Sequence, residues 1–111
     1  MNQHPVTTVE IRAQVQWNFF KDESSGRWIA ICDPLKLTIE GDTHTELREN
    51  IADGLNLLLL DLVRENELND FLTKRGWSVV GQAPTSGHEI QFDVPFELIA
   101  KRNNDFTRAI H

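Results

Sequence analysis

Few side chains in this chain could do chemistry, and they are dispersed. In "GDTHTEL", residues 41–47, Asp42 and His44 lie close enough in sequence to share a divalent ion. The same residues also read as the polar start of a helix, the commoner use of such a cluster. Cys32 could be a nucleophile, but it alternates with Ala30 and fits a small core position equally well. His4, His44, His88 and His111 are scattered. There is no HExxH, no Gly-rich phosphate loop after a strand, and no Ser or Cys with an evident His partner. A two-metal nuclease needs several carboxylates converging on one face. The inward register of the first strand, from Val9 to Phe19, is apolar throughout. The expectation is a protein with no catalytic residues, no metal and no cofactor.

Charge points elsewhere. The 111 residues carry a net charge of -6. Residues 40–70 hold nine acids (Glu40, Asp42, Glu46, Glu49, Asp53, Asp61, Glu65, Glu67, Asp70) against two bases, Arg48 and Arg64. That window is therefore -7 and the remainder +1. Such a surface repels phosphate, so direct nucleic-acid binding is not expected, and it favours encounter with a basic partner. A solvated helix face that serves only solubility is the plain alternative.

The elements that must position these residues can be read from periodicity. Val9, Ile11, Ala13, Val15, Trp17 and Phe19 alternate with polar residues and predict one long strand. A polar turn, "KDESSG" at 21–26, leads to a strand over 27–32, and Leu35, Leu37 and Ile39 mark a third over 35–40. Gly41 offers the positive φ that a sharp strand exit often requires. Thr43 and Glu46 have capping-box spacing. Leu47, Ile51, Leu55, Leu58, Leu59 and Leu62 then form a helical stripe. Gly54 lies on that stripe and implies close approach of the helix to the sheet. A second helix is expected over 67–75, stopped by Gly76. Strands follow over 77–80 and along Ile90 to Leu98, with a loop at 81–87 between them. Pro95 cannot donate to a ladder and assigns the last strand to an edge. The fold class is α+β: a three-stranded antiparallel meander, a long amphipathic helix, a short helix and two further strands, βββααββ, in a single domain over 1–111.

Trp17, Trp28 and Trp77 read first as core or rim packing; an aromatic anchor at a protein interface is the second reading. Stacking on single-stranded RNA would need a basic groove that the charge map does not supply. Leucines beyond one stripe, with Leu57, Leu60 and Val63, predict further burial through self-association or docking by the second helix. Unpaired meander edges favour association as well.

These residues carry a resemblance. "FFKDESSGRWIAICDPLKLTIEGDTHTELRENIADGLNLLL", residues 19–59, resembles the HicB-like antitoxin family. The shared pattern is an aromatic strand end at Phe19, the turn Gly26 and Trp28, then Pro34, Gly41-Asp42-Thr43, Glu46, and a helix through Leu59. The resemblance implies a family core over about 9–63 of partial ribonuclease-H type that lacks catalytic carboxylates. Beyond it lie an extension over about 67–98 and a polar tail at 99–111. It also implies binding to a small basic HicA-like toxin that cleaves messenger RNA, and assembly as a dimer or larger homo-oligomer. Two features depart from the family pattern. "DPLKL" lacks the glycine that often follows the proline, and the thirteen residues after Leu98 are too few for a DNA-binding module.

The expected function is therefore a non-catalytic antitoxin-type binder, with Trp28, Asp42 and Glu46 as protein-binding residues. A solitary oligomeric scaffold with another protein partner is the alternative, and a divergent nuclease is a third reading. A lone cysteine, no signal-peptide pattern and no membrane-length apolar run predict a cytoplasmic protein without membrane contact.

Overall fold

In the computed structural model, residues 6–81 and 89–101 are described. The chain is α+β with the expected order of elements: β1 (Val6–Arg12), β2 (Gln16–Lys21), β3 (Trp28–Cys32), β4 (Leu37–Gly41), α1 (His44–Arg64), α2 (Leu68–Arg75), β5 (Ser78–Val79), β6 (Glu89–Asp93) and β7 (Glu97–Ala100). They form two mixed sheets, ordered β5-β1-β6 and β4-β3-β2-β7. Among the described residues no helix is long and apolar enough to cross a membrane. The expected loop beyond Gly81, the polar tail beyond Lys101, and His4, His88 and His111 lie outside the described residues.

Two expected strands are each divided in two. The long first strand is β1 and β2, which belong to different sheets, and the last strand is β6 and β7. Pair registers give the physical reason. Val9 faces Phe92 and Trp17 faces Leu98, both in parallel ladders. Residues 10–16 separate the pairs on one segment, but only 93–97 on the other, two fewer. Strands of unequal length between two registers cannot keep one ladder, and Pro95 in the shorter piece has no amide to contribute. Both β6 and β7 are edge strands, as the proline implied.

One compact unit comprises residues 6–14, 52–81 and 89–95. Its core is Val9, Ile11, Leu55, Leu59, Leu72, Phe92 and Val94. Each such buried aliphatic side chain contributes about 1.5–3 kcal/mol. The Asn56 Oδ1 accepts the Phe92 N–H at 2.7 Å, tying the helix to an edge strand. Both helices end on a left-handed residue. Asn66 has φ 59 and Gly76 has φ 71. The Glu67 and Trp77 amides reach back to the Leu62 and Leu72 carbonyls, and the Asn66 and Gly76 amides to Val63 and Thr73. This paired pattern satisfies carbonyls that the helix end leaves open. Leu57 and Val63 remain 59% and 40% exposed, so α2 does not cover them as expected.

The second unit comprises residues 15–51 and 96–101. Here β2, β3 and β4 form the expected antiparallel meander, with β7 added parallel to β2. Val15, Trp17, Ala30, Cys32, Leu47 and Ile51 are its core. Burial pushes the Cys32 thiol pKa up, with nearby Asp33 adding to the rise against a hydrogen bond at Leu35. That suits a packing residue better than a nucleophile. The third strand begins at Leu37 rather than Leu35. Asp33–Leu35 form a 3-10 turn, and Lys36 closes it with φ 56 and its amide on the Asp33 carbonyl. Lys36 thus occupies the left-handed conformation that glycine adopts without strain.

Gly41 also differs from expectation, because its φ is not positive. A Cβ at Gly41 would lie 2.6 Å from the Leu47 amide nitrogen and 2.8 Å from its Cα. The requirement is close approach: α1 begins so tightly against β4 that no side chain fits. Helix capping reinforces the junction. Thr43 Oγ1 accepts the Glu46 amide at 3.0 Å, and Glu46 Oε1 accepts the Asp42 amide at 3.1 Å, one residue beyond the usual capping-box donor. Gly54 is half-buried, outside the fully buried stripe of Leu47, Ile51, Leu55 and Leu59.

Gly41→Ala should destabilise the protein by about 1–3 kcal/mol through overpacking, lowering the urea midpoint at constant slope. Lys36→Gly should raise stability by about 0.5–1 kcal/mol by relieving the left-handed strain, read from the same unfolding curves.

Candidate protein-binding site

The three residues singled out by the sequence come from separate elements, and local chemistry links them. The hairpin between β2 and β3 is organised by Asp22. Its Oδ2 accepts both the Ser24 and Ser25 hydroxyls, at 2.9 and 2.6 Å, and the Ser25 amide at 3.1 Å. Gly26, at φ 73, donates its amide to the Asp22 carbonyl. This turn delivers Arg27 and Trp28 to the start of β3. Trp28 faces Lys21 on one side and Gly41 on the other.

Arg27 joins the hairpin to the β4–α1 junction. Its Nε lies 3.2 Å from Glu40 Oε1 and its Nη1 3.3 Å from Asp42 Oδ1. The Nε contact lacks hydrogen-bond alignment and is an ion pair only. All three groups are substantially exposed, so the pairs contribute about 0–1 kcal/mol each. Asp42 is thereby partly neutralised, and Glu46 is occupied with the Asp42 amide. Both candidate acids thus hold the helix start as well as facing solvent.

Trp28 is half-buried in an aromatic cluster. Its ring centroid lies 5.6 Å from His44 in an edge arrangement and 5.9 Å from Phe19, and His44 lies 5.3 Å from Phe19. His44, considered as a metal ligand from the sequence, is an aromatic partner at the start of α1. Among the described residues no group of three His, Cys, Asp or Glu side chains could hold a metal ion. Lys21 Nζ lies 5.9 Å from the Trp28 centroid. An open groove of about 360 Å³ runs past Trp28, lined by Phe19, Phe20, Lys21, Glu23, Ala100 and Lys101. Sequence reasoning missed Arg27, Lys21 and Lys101. The hairpin register held the signal for Lys21, because a turn closing on Gly26 puts it opposite Trp28; Lys101 depends on the parallel pairing of β7, which no local pattern encodes.

The structure thus brings Trp28, Asp42 and Glu46 to one end of the four-stranded sheet, but with different surroundings. Trp28 opens onto a groove whose ionisable lining is two lysines and one glutamate. Asp42 and Glu46 belong to the acidic helix start. Farther along α1, Glu49 and Asp53 are exposed and form no ion pair among the described residues. Compared with protein-family models, curated proteins and solved structures, the chain matches none of them.

The hairpin carries a pH signature. Hydrogen bonds from Ser25 first, and then Ser24, hold the Asp22 carboxyl below its ordinary range. A lowered folded pKa stabilises above the ordinary carboxylate value and is lost as pH falls through the lowered one. An NMR titration should show Asp22 ionising at unusually low pH, and Ser25→Ala should move it back up.

Proposed function

We propose that this chain is a non-catalytic HicB-like antitoxin-type protein that binds and neutralises a small basic HicA-like toxin that cleaves messenger RNA. The observation that carries the reading is the exposed acidic side of α1, where Glu49 and Asp53 have no ion-pair partner among the described residues. A ribonuclease of this kind attracts phosphate with basic side chains. Exposed carboxylates on a helix compete for those bases, and their field accelerates encounter. Trp28 supplies a half-buried aromatic anchor, the type of residue on which interface energy concentrates. The apolar buried register of the four-stranded sheet fits a structural use of this fold, with Trp17, Ala30 and Cys32 where a catalyst would need charge.

A second reading, a solitary oligomeric scaffold with a different protein partner, has its own support. On β3 the side chains of Ile29 and Ile31 alternate with buried Ala30 and Cys32, and Ile29 and Ile31 are only half-buried. Ile99 on β7 is paired with Asn18 beside them and is 40% exposed. Such apolar positions on one sheet face favour self-association.

Co-expression with a small basic protein encoded beside it, followed by affinity capture and an RNA-cleavage assay, separates the two readings. The antitoxin reading expects a complex that suppresses cleavage. Glu49→Lys should slow association about tenfold at low salt, with the difference shrinking as salt rises. Trp28→Ala should weaken binding by about 2 kcal/mol. Failure of every adjacent basic protein to bind would defeat it. An oligomer that Ile31→Lys converts to monomer, without any such complex, would favour the scaffold.

A further inference from the structure

We propose that a second concavity, in the unit containing β1 and α2, binds a nucleoside monophosphate. The cleft has a volume of about 390 Å³ and is lined by Arg12, Ala13, Gln14, Arg75, Gly76 and Trp77. That is within the range of small-ligand sites, about 300–1,000 Å³. Two arginines and no acidic residue are among its lining residues. This is unexpected in a protein of net charge -6, where surface bases have acids to pair with.

The backbone explains how the two arginines meet. Arg12 ends β1 and faces Ser78 in the antiparallel ladder with β5. Ser78 follows directly on Arg75, Gly76 and Trp77, so the ladder sets the β1 terminus beside the end of α2. Gly76 turns the chain at φ 71, and the Trp77 amide bonds the Leu72 carbonyl at 2.9 Å. The site therefore rests on a strand pair and a closed helix terminus rather than on a loop.

Neither arginine has an ion-pair partner among the described residues. The nearest base in sequence to Arg75, Lys74, is paired with Asp70 at 3.0 Å. Arg75 has its Cζ 3.8 Å from the Phe71 ring centroid. Stacking on an aromatic face holds a guanidinium by its plane and leaves the N–H edge available to an oxyanion. Phe71 is itself braced edge-on by Trp77, with centroids 5.5 Å apart. The arginine is thus pre-oriented, which reduces the ordering cost of binding. Against the site stands the negative end of the α2 dipole, about half a charge. Two full positive charges outweigh it, and the closing amides already occupy the Leu72 and Thr73 carbonyls.

The ligand class follows from this lining. A phosphate dianion accepts bidentate hydrogen bonds from guanidinium groups. Half-buried Trp77 and Gln14 complete the lining, and their side-chain types, an indole that suits a flat ring and an amide able both to donate and to accept, extend the ligand beyond phosphate. Phosphate joined to a nucleobase satisfies all four groups; a bare oxyanion leaves the indole and amide unused. This inference does not depend on the antitoxin reading.

The test titrates the full chain with adenosine 5′-monophosphate, inorganic phosphate and adenosine, following the Trp77 indole N–H by NMR, assigned with Trp77→Phe. Adenosine monophosphate should shift that signal with a dissociation constant below about 1 mM, and phosphate should compete more weakly. Arg12→Ala and Arg75→Ala should each weaken binding about tenfold or more, and Arg75→Lys should not restore it, because lysine keeps the charge but loses the stacked fork. Both arginines are exposed, and unchanged circular dichroism will confirm that the variants fold. An unmoved Trp77 signal at about 10 mM nucleotide would overturn the proposal. So would equal affinity for phosphate and nucleotide, or undiminished binding in the double arginine variant.

Discussion

The contact on which the four-stranded unit depends is the one between Gly41 and the first turn of α1. A strand that runs into a helix must reverse direction while satisfying the opening amides of that helix. Here the backbone of Leu47 lies where a Gly41 side chain would be. The close approach sets the depth at which Leu47 and Ile51 enter the core, both fully buried. It also brings His44 against Phe19 and Trp28, because Gly41 is the register partner of Trp28. Aromatic cluster, capping bonds and Arg27 ion pairs are thus consequences of one missing Cβ.

The same junction shows how far formal charge overstates available charge. The acid-rich window reads as one negative surface, yet its members do different work. Asp42 is held by Arg27, Glu46 caps the helix, Asp61 pairs with Arg64, and Asp70 with Lys74. Exposed pairs of this kind add little stability, but they remove carboxylates from the field a partner would feel. Among the described residues, what has no ion-pair partner is a smaller set in which Glu49 and Asp53 stand one helical turn apart. The bases are also unevenly used, with Arg12 left without a carboxylate partner among the described residues. Net charge alone describes neither distribution.

Much of the fold was legible. Capping at Thr43 and Glu46, the stripe at four-residue steps, the Gly76 stop and the hairpin closing on Gly26 are local, and each was written in a few adjacent residues. The division of the first and last strands was not legible, because alternation runs through the break with its parity unchanged: Val9, Ile11, Val15 and Trp17 are all buried. A period-two pattern reports which face a side chain occupies and is blind to a change of sheet. The left-handed Lys36 was missed for a related reason, since a lysine between two leucines imitates strand alternation. Of the candidate site, Trp28, Asp42 and Glu46 were visible individually, whereas Arg27 as the link between them was not.

By itself the sequence determined the class of fold, the order of elements, the helix limits and the placement of most negative charge. These depend on interactions within a turn or two of chain, where spacing dictates geometry. Tertiary structure alone decided that β6 and β7 run parallel to β1 and β2 in separate sheets, that His44 packs edge-on against Phe19 and Trp28, and that Arg12 and Arg75 line one cleft. Those outcomes join residues tens of positions apart. Their register is set by the summed packing of whole elements, and no short stretch of residues contains that sum.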